Sequence, residues 1–122
     1  MAIPSGSGSE VLKSKLTQAI STTWTTIGDF STSLNIYTCL SIIVTNCSST
    51  DTEVMNLALT DDESSTNEHF LGVGIDIPAG GIFVWNNKLV VAGSGTYKYL
   101  RCNFNTAANM DVIVNYIDQD WT

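Results

Sequence analysis

Basic residues are scarce in this sequence. Five Lys and Arg stand against twelve Asp and Glu, a formal net charge of −7 over 122 residues, with a pI near 4.2. Nucleic-acid binding needs clustered cations to displace counterions from phosphate. Lys13, Lys15, Lys88, Lys98 and Arg101 are scattered along the chain, so no nucleic-acid partner is expected, and no anionic membrane surface either. Histidine occurs once and cysteine three times, at Cys39, Cys47 and Cys102. An odd number without metal-ligand spacing argues against a disulfide framework and for buried or half-buried thiols. No apolar run approaches the ~20 residues of a membrane-spanning helix. Met1-Ala2-Ile3-Pro4 runs into Ser and Gly with no basic start and no apolar stretch. No secretory signal is therefore expected, and the chain should stay in a reducing compartment or leave it by lysis. Charged residues make up only 14%. Ser, Thr and Asn take their place, which gives a weakly solvated surface suited to contact.

What is present is a succession of short apolar/polar alternations broken by Gly, Asn, Asp and Ser. Residues 10–20 put Leu12, Leu16 and Ile20 at helical spacing but also on one strand face; the Ser/Thr density that follows favours a strand. Residues 21–27 are β-branched and aromatic, and 28–34 turn the chain. Residues 36–45 form the strongest strand, with Ile36, Leu40, Ile42 and Val44 on one face and Tyr37, Cys39, Ser41 and Thr45 on the other. In 53–59 Met55, Leu57 and Leu59 face in, with Asn56 and Thr60 out. A hydrophilic loop follows at 60–68. The strand over 69–77 has Gly72 and Gly74 as bulge positions. Pro78-Ala79-Gly80-Gly81 is a tight turn. Strands over 82–85 and 89–91 flank a tight turn at Asn86-Asn87. After a turn at 93–95, residues 97–104 put Leu100, Cys102 and Phe104 inward and Tyr97, Tyr99 and Arg101 outward. Residues 110–117 form the last strand. This predicts one all-β domain, an antiparallel β-sandwich, jelly-roll-like, of about eight strands. No helical crossover is long enough for a parallel sheet. Residues 1–9 read as a flexible N-terminal arm, 10–117 as the sandwich and 118–122 as an exposed C-terminal tail.

No constellation for chemistry stands out. Asp61, Asp62, Glu63 and Glu68, with Asp76 further on, offer hard oxygen ligands for calcium, but they do not match the EF-hand spacing; they read as a solvated loop, and no cofactor is expected. His69 has no nucleophile or acid beside it in sequence. Gly72-Val73-Gly74 and Gly93-Ser94-Gly95 lack the Lys-Ser/Thr and the helix of a phosphate loop. Asn46-Cys47-Ser48 fits the glycosylation pattern but carries no weight in a chain without a signal. Trp24, Trp85 and Trp121 could stack on sugars; Trp24 and Trp85 lie within predicted strands and read as core. Trp121, in an acidic tail, reads either as an anchor for a partner or as an indole folded back on its own sandwich.

The order TWTTI, IYTCLSIIVTN and IDIPAGGIFVWNNKLVVAGSGTYKYLRCNFNTAANMDVIVNYI resembles small virion structural proteins of tailed bacteriophages, cyanophages included. The opening MAIPSGSGSEVLK and the closing YIDQDWT look like the same group. The resemblance covers most of the chain, and its motifs are mostly turn and core signals. It implies a non-enzymatic capsid decoration (cement) protein, made in the host bacterial cytoplasm and bound to the outer capsid surface. Its partners would be the major capsid protein and its own copies, as a homotrimer. The contact residues expected are Ile3, Pro4 and Glu10 of the arm and Asp118, Asp120 and Trp121 of the tail. A tail, neck or fibre protein of the same virion, and a carbohydrate-binding module, are the alternatives.

Overall fold

The computed structural model describes residues 9–18, 22–63, 67–106 and 109–120. Among these there are nine strands and no helix: β1 (Ser9–Gln18), β2 (Thr25–Asp29), β3 (Asn35–Asn46), β4 (Glu53–Thr60), β5 (Glu68–Ile77), β6 (Ile82–Trp85), β7 (Leu89–Ala92), β8 (Tyr99–Phe104) and β9 (Met110–Asp120). One sheet has the order β1-β9-β3-β6, with β7 also on β3; the other has the order β2-β8-β4-β5. Every pairing is antiparallel. The first sheet is called the front sheet below, the second the back sheet. The chain crosses between sheets at nearly every connection, and only β4 and β5 form a hairpin within one. This is the double Greek key of a jelly roll.

The strands expected over 82–85 and 89–91 are both present as β6 and β7, but they pair differently from the expectation. A tight turn at Asn86-Asn87 would have folded them into a hairpin. Instead both pair with β3, Trp85 opposite Ile42 and Leu89 opposite Cys39. They are one interrupted strand that keeps its direction along the sheet edge. The interruption faces a bulge in β3, where Leu40 is the extra residue between Cys39 and Ser41. A bulge adds one residue and so reverses the inside–outside alternation beyond it. Tyr37 and Cys39 are therefore buried before it, and Ile42 and Val44 after it. The expected grouping of Ile36 and Leu40 with Ile42 and Val44 fails at this point.

The core between the sheets is built from Tyr37, Cys39, Ile42, Val44, Val112 and Val114 of the front sheet and Met55, Leu57, Leu100, Cys102 and Phe104 of the back sheet. Phe30 closes one end, its ring stacked on Tyr37 at 5.0 Å and edge-on to Tyr116 at 5.1 Å. Asn46 ties three segments together at the other end. Its buried side chain donates to the carbonyls of Asp51 (2.8 Å) and Ile77 (3.0 Å) and accepts from the Ser48 amide (3.0 Å). The Pro78–Gly81 turn forms as expected: the Gly81 amide donates to Pro78 at 2.8 Å. Gly80 takes a φ of 70° there, a conformation costly for any side chain. Register shifts in β5 fall on either side of Gly72, and Gly74, with a φ of 65°, lies at one of them.

Three outward assignments are corrected. Thr60 and Arg101 are buried: the Thr60 hydroxyl donates to the Asp62 carbonyl at 2.7 Å, and the segment before β2 lies against Arg101 on the outer face of the back sheet. The Trp24 carbonyl accepts from Arg101 Nη2 at 2.8 Å, and the Trp24 ring meets Phe70 at 6.2 Å. Trp24 thus stands before its strand, half-buried outside the core, whereas Trp85 packs against the core as expected. The final strand also runs on through Asp118, Gln119 and Asp120, which the sequence assigned to an exposed tail; Asp118 is buried. No helix among the described residues is long and apolar enough to cross a membrane.

Candidate assembly surface

The sequence placed its contact residues at the two ends of the chain. The fold brings those ends together. Ser9 lies opposite Asp120 and Glu10 opposite Gln119 in the β1–β9 ladder, and Gln119 Nε2 donates to Glu10 Oε2 at 3.1 Å. Asp118 is held inside: Lys13 Nζ pairs with its Oδ2 at 2.9 Å and Asn35 Nδ2 donates to its Oδ1 at 2.7 Å. That bond raises the Lys13 pKa above 10.5. Asp118 therefore fastens β1, β9 and β3 within one chain. Ile3, Pro4 and Trp121 lie outside the described residues.

The other candidates do not converge. Asp61 closes its own loop by accepting from the Asn67 amide (3.3 Å) and from Asn67 Nδ2 (2.7 Å). No group of three or more His, Cys, Asp or Glu among the described residues is placed to hold a metal. His69 sits exposed on β5, its ring 5.8 Å from that of Tyr97. The Asn46 amide of the glycosylation pattern is buried.

The thiols divide by location. Cys39 and Cys102 are buried in facing sheets, and all three cysteines are free. Burial pushes Cys39 up to about 11 and Cys102 up to about 12. Cys47 is exposed; its thiol donates to Asp111 Oδ2 at 3.5 Å, and partial desolvation together with that carboxylate raises its pKa as well. The thiolate is the reactive form. A thiol reagent at neutral pH should therefore add one label per native chain, slowly, at Cys47, and three after denaturation. Mass spectrometry reads the count; a second native label would contradict the burial of Cys39 and Cys102.

The feature that sequence reasoning missed is the outer face of the front sheet. An antiparallel sheet with one face on a core normally shows polar side chains on the other. Here the ladders align Leu16, Ile113, Ile43 and Val84 in one cross-strand row. A second row joins Leu12, Ile117, Thr38 and Val90. Leu12 and Leu16 are 70% and 69% exposed, and Val90 66%. Between the rows runs a polar one, Ser14, Asn115 and Ser41. Its side chains bond each other: Ser14 Oγ donates to Asn115 Oδ1, and Asn115 Nδ2 donates to Ser41 Oγ at 2.9 Å. Among the residues paired in these ladders the outward charges are Glu10 and Asp111 at the two ends, and Lys88 lies exposed in the interruption between β6 and β7 at the sheet edge. The signal is in the sequence: β3 and β9 carry apolar residues in both phases of the alternation, and β1 sets Leu12 and Leu16 opposite Lys13 and Lys15. An apolar face of this extent on a small domain marks a contact surface.

The fold and this face define a structural or binding β-sandwich. Solved structures share the fold at very low identity. A chain from the disulfide-linked pili of Bacillus endospore appendages matches with a TM-score of 0.54 at 12% identity, covering 99% of this chain and 96% of that one. A chain of the virus-like particle of the giant freshwater prawn (Macrobrachium rosenbergii) extra small virus matches with a TM-score of 0.51 at 7% identity, covering 98% and 82%. The VP2 protein of infectious bursal disease virus, in derived T=1 particles, matches with a TM-score of 0.50 at 8% identity, covering 92% of this chain but 32% of that one. No protein-family model matches the chain, and no curated protein matches it in sequence.

Proposed function

We propose that this chain is a structural subunit of a tailed-phage virion, a capsid decoration protein that adheres to the outer shell where major capsid subunits meet. The observation that carries the reading is the two-row apolar face on a jelly roll. The described residues offer an adhesive surface and no group placed to hold a metal. Many modest contacts repeated by particle symmetry then hold a shell against internal pressure by avidity. The rim at Glu10 and Asp120, with Ile3, Pro4 and Trp121, supplies further contacts to the shell. An acidic protein suits the outside of a particle because it has no DNA to touch.

The test is cryo-electron microscopy of particles from the source lysate. Density for a 13.2 kDa β-sandwich repeated over the shell at capsid-subunit junctions is the expected result. Its absence from every particle would overturn the reading. Density confined to the tail, neck or fibres would move the chain to the second reading, a tail, neck or fibre structural protein of the same virion. That reading is favoured by the near-complete mutual coverage with the pilus chain.

A further inference from the structure

We propose that the occupant of the front sheet's outer face is a second copy of this chain, packed back to back about a two-fold axis. This rests on reading that face as an assembly surface. Three properties of the face point to its own copy.

The first is pattern. An apolar row, a polar row and an apolar row lie side by side. A two-fold axis lying over the polar row, whether along the strands or across them, sets apolar against apolar and polar against polar. A surface that is its own complement is what an isologous contact requires. The pattern thus favours a pair over the trimer that the phage resemblance implies.

The second is polar satisfaction. Covering polar groups costs free energy when they lose water and gain nothing. Asn115 already bonds Ser14 on one side and Ser41 on the other, so the middle row can be covered without leaving those groups unpaired. The paired rows between Glu10 and Asp111 are uncharged, with Lys88 exposed at the sheet edge beside them. Two acidic copies meeting on this face thus do so through neutral rows. Their mutual repulsion stays long-range and salt-screened.

The third is size. From the row of Glu10 to the row of Gln18 the face spans about 26 Å along the strands, and four strands make it about 19 Å wide. That is about 500 Å² of projected area per copy and about 1,000 Å² for the pair, the lower bound for a specific interface. Side-chain relief raises the buried area above the projection. The two sheets would stand about 10 Å apart, with Leu12, Leu16 and Val90 interdigitating.

The test is sedimentation of the purified full chain over a wide concentration range, alongside Leu16→Lys/Val90→Lys. Both side chains are largely exposed in the single chain, so the variant should keep the circular dichroism and melting temperature of the parent. The expected result is a concentration-dependent dimer whose dissociation constant rises at least about a hundredfold in the variant. A dimer or trimer unchanged by the double substitution overturns the proposal. A chain that stays monomeric, yet binds particles and loses that binding in the variant, overturns the pairing and leaves the adhesive function standing. A monomer that binds no particles removes both.

Discussion

Gly93→Ala should be the most damaging small substitution in the chain. A Cβ on Gly93 would lie 1.8 Å from the Thr32 carbonyl oxygen and 2.6 Å from its carbon. Both are backbone atoms of a turn that is already committed. The Thr32 oxygen accepts from the Asn35 amide at 3.0 Å, and the Asn35 oxygen accepts from the Gly93 amide at 2.9 Å. No side chain can swing aside, so the turn before β3 must part from the end of β7. Overpacking of this kind costs about 3 kcal/mol or more, which lowers the melting temperature of a domain this size by roughly 10 °C or more. Gly80→Ala is the control. It meets no atom within 4 Å, and its cost is only the left-handed backbone, about 1 kcal/mol. Thermal unfolding of the two variants separates the cases. A loss at Gly93 no larger than at Gly80 would show that the two loops are not packed as described.

Alkaline pH should unfold the protein over a defined window. Burial raises the thiols of Cys39 and Cys102 from 9.0 to about 11 and about 12. Between pH 9 and those values the unfolded chain has released both protons while the folded chain keeps them. The unfolded state then binds fewer protons, and stability falls as pH rises. The slope is about 1.4 kcal/mol per pH unit for each thiol within its window. Tyr116, raised chiefly by burial, acts in the same direction. So does Lys13, whose bond to Asp118 is present at neutral pH and is lost as pH climbs through its raised pKa. Urea midpoints should therefore hold steady below about pH 9 and fall steeply above it. The variant Cys39→Ala/Cys102→Ala should start lower, because two core side chains are trimmed, and then decline less steeply. Parallel slopes for parent and variant would rule out the thiols as the cause.

How far the sequence could be read depended on whether a residue's surroundings were local. Alternation located β4 and β8 within a few residues, and apolar runs between turn signals located β6 and β9. Pro78–Gly81 was legible because turn chemistry lies in the four residues themselves. The inward face of β3 was not, because a single bulge at Leu40 reverses it, and that bulge answers an interruption nearly fifty residues later at Asn86–Lys88. Arg101 was misplaced for a similar reason: a strand's outward residue is buried when another segment crosses over it, and nothing in residues 97–104 announces Trp24. Among the described residues, the contact residues expected at the two ends lie near each other in the fold. Glu10 and Asp120 do share a rim, but Asp118 turns inward to Lys13 and Asn35. The apolar outer face is not legible in any one strand, because it forms only where residues of β1, β9, β3, β6 and β7 align in rows.

The pairing of β1 with β9 also sets the order of events in folding. Ser9 waits for Asp120, and Leu16 for Ile113, so β1 cannot take its place until β9, about a hundred residues later, has been made. Until then Leu12 and Leu16 have no sheet to belong to. Pairings that close loops of about a hundred residues form late and slowly. A nascent chain stalled short of residue 110 would expose both the free first strand and the bare edge of β3 to its neighbours. Aggregation during synthesis, and not loss of the finished fold, is thus the hazard this topology creates.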